Sequence, residues 1–540
     1  MANVTRKTFL LSGLSTMGFL GTVAGAPAAA KTVKPVFMAS GSASAGTSVA
    51  SLRDAELIPQ LNPVIRLYPA KALSRTGEFR FGPGELEMML PFLGAGEIAW
   101  TVNAPEAGKY NVALCYSTTE AGTPITVSAN GEAELPFAAT VTEGFFYPHP
   151  NGPSANPGDP DSDTFWTLRQ YYMFERVAIQ GELSLVRGVN IVKLAVKGEK
   201  GREIFRLRSL ELTPVSQVDA VAAADARAKA SRSNTDWFAN AGYGMWFHFL
   251  DLTTPPKGPR IPYKDAVNAL DVKKLAKMVD DCGASYLIFT VNHGNPTCPA
   301  PIKSWEALHP GWTTERDLIA ELADALGTYG IRLMLYMNCP GVGKLVQMPG
   351  TAVDLPTYSE AEYSRQLISV FEEFGRRYGE KLAGYWFDSW FQTLESYPNL
   401  PNERLYTAMK TGHPNRLVSV NHWSFPTEVQ WQDYWCGEIT DLPAKPFGAR
   451  YIKRGAGAGL QAHASIYLDA PWFHITENKE MEPPRYSAQV LADYIRTCQK
   501  DQAPVTIGVG IYQDGTIGPN SFTVLKELRG LIRTGRKRKA

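Results

Sequence analysis

The sequence predicts a multidomain protein: an N-terminal antiparallel β-sandwich, jelly-roll-like, followed by a (β/α)8-like barrel. Three observations predict it. The chain has 540 residues, too many for one ordinary core. From about 50 to 215 its apolar residues recur with a period of two and no helical pattern interrupts them. From about 240 onward short apolar runs alternate with helical patterns, the rhythm of parallel strands joined by crossover helices.

Residues 1–30 read as an export signal peptide. Arg6 and Lys7 precede an apolar stretch from Phe9 to about Ala24, and the small-residue run "APAAAK" places cleavage near Ala30. "TRKTFLL" resembles a twin-arginine signal with Lys7 in the second basic position. Residues 31–50 read as a flexible segment. No later run is long and apolar enough to span a bilayer, so the expectation is an exported protein, periplasmic or extracellular, without a membrane span. The 54 Lys and Arg residues nearly cancel the 53 Asp and Glu residues, which provides no global field for nucleic acid or an anionic membrane. Six cysteines without CxxC spacing do not describe a disulfide scaffold and read mostly as small buried residues.

The sandwich occupies 51–215. "EIAWTVNAP", "KYNVALCYS", "PITVSANGEAEL", "NIVKLAVKG" and "IFRLRSLELTP" alternate apolar and polar positions between Gly, Pro and Asn-Gly turns. A long insert in the middle carries Phe145, Phe146, Tyr147, Phe165 and Trp166 among Pro, Gly and Asp, and long inserts of this kind are often functional. The runs from Trp100 to Val112 and from Gly188 to Leu194 resemble the β-sandwich carbohydrate-binding modules attached to glycosidases. Residues 216–236 are rich in Ala, Ser and charge, and read as a linker or a bridging helix.

The barrel occupies 237–540. Its strand candidates are "YGMWFHF", "SYLIFTV", "IRLMLYM", "AGYWFDS", "RLVSV", "DYWCGEI", "AHASIYL" and "PVTIGVG". Between them run helical patterns such as "DVKKLAKMVDDCG", in which Val272, Leu275, Ala276 and Val279 share one face and Gly283 supplies the stop. The stretch between "RLVSV" and "AHASIYL" lacks a clear helix, which predicts an irregular wall there.

Chemistry in such barrels gathers at the C-terminal ends of the strands. The residues read at those ends are His248, His293, Asn338, Asp388, Asn421 with His422, Glu438, Asp469, and Gln513 with Asp514. Asp388 is the most informative, because a carboxylate set among Trp386, Phe387 and Trp390 must recover its lost hydration from hydrogen bonds or charge. The plain alternative is an Asp that caps the following helix. Two carboxyl groups, one anionic and one protonated, are what cleavage of a glycosidic bond needs. Asp388 suits the nucleophile, with His248, His293 and the Trp390 indole as donors. Glu438, beside Trp435 and Cys436, suits the acid, with Asp433, Glu428 and Asp441 as rivals. A retaining pair stands roughly 5–5.5 Å apart and an inverting pair roughly 6.5–9.5 Å.

The order of these pieces resembles the family of retaining α-L-fucosidases. "YGMWFHF" takes the place of that family's first-strand motif, and "LDVKKLAKMVDDCGASYLIFTVNHGN" resembles its helix-strand unit leading to a His-His pair. "TTERDLIAELADALGTYGIRLMLYMN", "YWFDSW" and "PVTIGVGIYQDGTI" follow in the family's order, so that the resemblance spans nearly all of 240–530. It implies Asp388 as nucleophile, Glu438 as acid/base, Tyr336 beside the nucleophile, and His248 and His293 on sugar hydroxyls. Trp246, Asn292, Trp390, Asn421, His422 and Trp472 complete the expected substrate site, with Phe473 adding to an apolar patch for the C6 methyl of fucose. Three departures stand out: Phe-Leu follows His248 where the family has Trp-Gly, Asn292 stands at the first His of the pair, and "VNHWSF" lacks the family's Arg.

The expected partner is a glycan, with no cofactor and no metal. P-loop and dinucleotide fingerprints are absent, and "GAGAGL" at 455–460 lacks the helix and acidic residue such a motif needs. His248, His293 and Asp388 do not have zinc-ligand spacing. The altered His and Arg positions leave two further readings, a glycosidase for another sugar and a non-catalytic glycan-binding protein. The basic tail "RTGRKRKA" reads as a solvated terminus.

Overall fold

The computed structural model describes residues 63–79, 89–118, 121–142, 174–199, 204–342, 359–422, 427–440, 442, 447–453, 455–469 and 472–533. The expected signal peptide, the aromatic-rich insert, Asp441 and the basic tail from 534 lie outside them.

The period-two segment forms nine strands: β1 (Ile65–Leu67), β2 (Ser74–Phe79), β3 (Leu90–Ala104), β4 (Gly108–Ser117), β5 (Pro124–Ala129), β6 (Leu135–Ala138), β7 (Glu175–Leu185), β8 (Gly188–Val196) and β9 (Phe205–Pro214). They pair antiparallel in the order β6-β5-β8-β3-β9-β4-β7, with β1 on β9 and β2 on β3. The two ends of this path, β6 and β7, also meet. The sheet thereby curls around a core that includes Trp100, Tyr110, Leu114, Val127, Leu194 and Phe205. Alternation sets the register in β8, where Asn190, Val192, Leu194 and Val196 are buried and the residues between them are less so. In β9 it fails. Every residue of β9 is buried, including Arg206, Arg208, Ser209 and Glu211, because its polar face packs against the rest of the protein.

The bridging segment is a helix, Val218–Ala230. After it come eight parallel strands, one from each predicted run: β10 (Tyr243–Phe247), β11 (Tyr286–Asn292), β12 (Arg332–Asn338), β13 (Leu382–Asp388), β14 (Leu417–Val420), β15 (Glu438–Thr440), β16 (Ala464–Tyr467) and β17 (Val505–Val509). Their order is β14-β13-β12-β11-β10-β17-β16-β15. Helices on the predicted faces cover the strands. Asp271 caps Val272–Asp281 by accepting from the Lys273 and Lys274 amides, and Leu275, Ala276 and Val279 are its buried stripe. Ser359 caps Glu360–Tyr378 in the same way, through the Glu362 amide.

The expectation of a barrel needs one correction. Among the described residues β14 and β15 are not paired, so the ladder is open at one seam. The reason lies in the helix-poor stretch that the sequence marks as irregular. Residues 432–434 run along β14 instead, with the Asp433 amide donating to the Val418 carbonyl at 2.7 Å and the Ser419 hydroxyl to the Tyr434 carbonyl at 2.6 Å. Asp433 is held there by the Lys410 ammonium at 2.6 Å, the Tyr406 hydroxyl at 2.6 Å and the Ser233 amide at 2.7 Å. All six cysteines are free and buried. No helix among the described residues is long and apolar enough to cross a membrane.

Candidate active site

Parallel strands deliver their last residues to one rim, and Asp388 is the last residue of β13. It does not cap the next helix. That helix, Trp390–Ser396, begins after Ser389, which sits in the left-handed region at φ 55° and makes no side-chain cap. Both Asp388 oxygens are instead met by side chains of the flanking strands. The Tyr336 hydroxyl on β12 donates to Oδ2 at 2.5 Å, and Asn421 Nδ2, just past β14, donates to Oδ1 at 2.9 Å. Burial, and then the Asp388 charge, push the Tyr336 phenol well above its ordinary value, so it stays protonated and is the donor.

The same Asn421 nitrogen donates to Glu438 Oε2 at 2.8 Å, and the Tyr467 hydroxyl at the end of β16 donates to Glu438 Oε1 at 3.0 Å. Two hydrogen bonds of 2.9 and 2.8 Å from one nitrogen bring Asp388 Oδ1 and Glu438 Oε2 close together. Asp388 and Glu438 are both partly exposed, so solutes reach them. Glu438 differs from expectation in one respect: it opens β15 rather than ending it. Gly437 before it has φ 66°, and a Cβ there would lie 1.8 Å from the His463 carbonyl oxygen, so the extended run is broken at this position and only glycine fits.

Aromatic rings surround the two carboxyl groups. His248 lies 4.1 Å from Trp472, 4.5 Å from Trp246, 4.9 Å from Tyr336 and 5.7 Å from His293, between ring centroids. Trp386 forms the floor, 4.8 Å from Trp246 and 5.3 Å from Tyr336. Phe473 packs on Trp472 at 4.2 Å. Burial, and then the neighbouring His293, hold His248 well below its ordinary value. Burial also lowers His293, although the Asp388 carboxylate works the other way. Both imidazoles are therefore neutral at neutral pH, and each has a donor and an acceptor to present.

Three expected site residues are placed elsewhere. Trp390 is buried in the apolar cluster between strands and helices, with Phe387 at 6.2 Å, and its indole N–H meets no acceptor among the described residues. The donors expected from Trp390 and the two histidines are supplied by Tyr336 and Asn421. His422 faces away from the rim toward the charges of Arg208 and Arg66, because consecutive residues of an extended chain point to opposite sides and Asn421 takes the inward direction. Asn292 is buried and bonds the main chain of Asn338, donating to its carbonyl at 3.0 Å and accepting from its amide at 3.1 Å. It ties β11 to β12 rather than presenting an amide to a ligand. The rivals of Glu438 are also accounted for: Asp433 is bound as above, and Glu428 pairs with Arg208 at 3.4 Å.

Tyr467 is the participant that the sequence reading left out, and Trp386 enters that reading only as a neighbour of Asp388. Tyr467 stands two positions before Asp469, the residue read as that strand's end, and its hydroxyl at a strand exit was the available signal. Asp469 itself turns to the Gly510 amide and the Ser521 hydroxyl, at 2.8 and 2.5 Å. No group of three or more His, Cys, Asp or Glu side chains among the described residues converges to hold a metal ion. A cavity of about 490 Å³ lies near Arg232, Asp433 and Arg450, and it includes none of these rim residues.

A protein-family model described as alpha-L-fucosidase matches residues 258–530, half of the chain. Alpha-L-fucosidase isoenzyme 1 from Paenibacillus thiaminolyticus is similar at 20% identity and a TM-score of 0.44, over 57% of this chain and 76% of its own. An alpha-L-fucosidase from Lactobacillus casei, solved in complex with its α-L-fucose product, is similar at 17% identity and a TM-score of 0.40, over 56% of this chain and 100% of its own. An endo-fucoidan hydrolase of glycoside hydrolase family 107 is similar at 12% identity and a TM-score of 0.43, over 57% and 96% of the two chains. No curated protein sequence matches this one.

Proposed function

Since the chain belongs to the α-L-fucosidase family and is a glycoside hydrolase, we propose that it removes terminal α-L-fucose, or a sugar of related stereochemistry, from a glycan with retention of configuration. Asp388 is the nucleophile and Glu438 the acid/base. The observation that carries this reading is the Asn421 nitrogen shared by the two carboxyl groups, which supports a separation of the retaining kind.

In the first half-reaction an Asp388 oxygen attacks the anomeric carbon while the bond from that carbon to the leaving oxygen breaks. The Glu438 proton passes to the leaving oxygen. In the second half-reaction Glu438 takes a proton from water, the water oxygen bonds to the anomeric carbon, and the Asp388 ester bond breaks. Tyr336 and Asn421 orient the nucleophile, and Tyr467 orients the acid/base. The neutral His248 and His293 bind sugar hydroxyls, and Trp246 and Trp472 pack against the apolar face and the methyl group. We read the parallel sheet as a (β/α)8-like barrel wall with one loose seam, the N-terminal sheet as a jelly-roll-like sandwich, and the leader-like first 30 residues as support for export.

The test is the stereochemistry of the first product. Proton NMR during early turnover of an aryl α-L-fucoside should show the α anomer before mutarotation, and a first-formed β anomer would reject retention. Sugar identity is tested with a panel of aryl glycosides. With Asn292 committed to Asn338, this position contributes no imidazole, and a preference for another sugar would replace fucose while leaving the carboxyl pair in place.

A further inference from the structure

The strand β9 of the N-terminal sheet carries a fully buried arginine whose guanidinium serves two segments of the parallel-sheet domain at once. Arg208 bonds the Glu395 carboxylate and donates to the Phe391 carbonyl at 3.2 Å, both in the helix that begins two residues after Asp388. Its Nε also lies 3.4 Å from Glu428 Oε1, a few residues beyond Asn421. Glu428 is fixed from the same side, since the Tyr68 hydroxyl donates to Oε2 at 3.3 Å and Arg66 donates to the Glu428 carbonyl at 3.3 Å. Tyr68 stacks beneath the Arg208 guanidinium at 4.6 Å. Burial works against the Arg208 charge, but the Glu428 and Glu395 carboxylates more than offset it and hold the guanidinium above its ordinary value.

These bonds matter because the turn they brace is unfavourable by itself. Ser389, between Asp388 and the braced helix, occupies the left-handed region at φ 55°, where a side chain is strained. On the far side the Asn338 side-chain Nδ2 donates to the Ser389 hydroxyl at 3.1 Å. The turn is thus gripped from the barrel by Asn338 and from the N-terminal sheet, through the helix, by Arg208.

We propose that Arg208 is a positioning residue for the reaction: by tying the helix behind Asp388 to the segment behind Asn421, it makes the N-terminal sheet a working part of the active site rather than a detachable sugar-binding module. This rests on the roles given above to Asp388 and Asn421. A planar fork that reaches Glu395, Phe391 and Glu428 together cannot be replaced by an ammonium group.

Two variants of the full chain test it. Arg208→Lys keeps the charge and loses the fork. The triple variant Arg208→Met, Glu395→Gln, Glu428→Gln removes the charges together, which protects the fold if the lysine variant fails to form it. The expected result for a folded variant is a kcat about 10- to 100-fold lower with KM changed less than about twofold, the signature of a misplaced nucleophile. Backbone hydrogen exchange should rise in 389–396 and 417–422 and stay unchanged in β10 and β11. Unchanged exchange in both rim segments, or parental kcat in a folded variant, would overturn the proposal. Parental turnover by Asp388→Asn would instead reject the nucleophile assigned above, and the exchange measurement, which does not depend on turnover, still shows whether Arg208 braces the two rim segments.

Discussion

At the scale of single residues the account turns on hydrogen bonds that share a donor. Asn421 Nδ2 spends one N–H on Asp388 and the other on Glu438. Its truncation should therefore cost more than one bond. Asn421→Ala is expected to lower kcat by about 10²-fold, the usual effect of removing one preorganised donor, and to change the pH profile because both carboxyl groups lose the same neighbour. Steady-state kinetics across pH checks this. Glu438→Gln should depress turnover of a poor leaving group far more than that of an activated aryl leaving group, since only the former needs the proton. Equal losses on both substrates would move the acid role elsewhere. Much of this cluster was legible in the sequence. Asp388, His248, His293 and Asn421 are polar residues at the ends of apolar strands, and that position alone brings them to one rim; Glu438 reaches it from the start of β15, and Tyr336 is implied by the family resemblance. Direction was not legible. His422 and Asn292 stand at the right height, but one points outward and the other is consumed by a neighbouring strand.

At the scale of elements the eight strands follow from their apolar runs, and the helices from the caps and stripes between them. The seam between β14 and β15 is the instructive exception. The run "DYWCGEI" has the composition of a strand through its whole length, yet only Glu438–Thr440 pairs as one. Gly437 explains this. Its close approach to His463 sets where β15 can begin and hence where Glu438 is presented. Gly437→Ala, which combines a positive φ with a steric clash against main chain, is expected to destabilise the protein by roughly 2–4 kcal/mol and to lower activity in the surviving folded fraction. Denaturant unfolding measures the first effect. A variant as stable as the parent would show that the β15 to β16 contact is looser than described.

At the scale of the whole molecule the N-terminal sheet and the parallel sheet are joined by buried charge, and this was the least legible feature. The alternation in "IFRLRSLELTP" reads as a strand with one wet face, because a pairing between Arg208 and acids nearly two hundred residues later leaves no local pattern. The joint has a consequence for pH. Burial, and then the charges of Arg208 and Arg66, lower His422 to about 3. The unfolded chain binds that proton first, so the stability contributed by neutral His422 is complete above about 6.5 and is lost as pH falls toward about 3. Asp469 runs in the opposite sense: burial raises it to about 6, so its contribution is complete below about 3.8 and is lost as pH rises through about 6. Replacement by His422→Asn should flatten the acid side of the stability profile by an amount on the order of 4 kcal/mol, and Asp469→Asn should flatten the opposite slope by somewhat less. Thermal melts from pH 3 to 8 separate the two. All three scales converge on one chemical event at the rim, a bond between the anomeric carbon and Asp388. Mass spectrometry of the protein treated with a 2-deoxy-2-fluoro-α-L-fucosyl donor tests it most directly. The account predicts one sugar attached to the peptide that contains Asp388, and lost in Asp388→Asn; a sugar found on another carboxylate, or turnover of the donor with no adduct formed at any time, would contradict it.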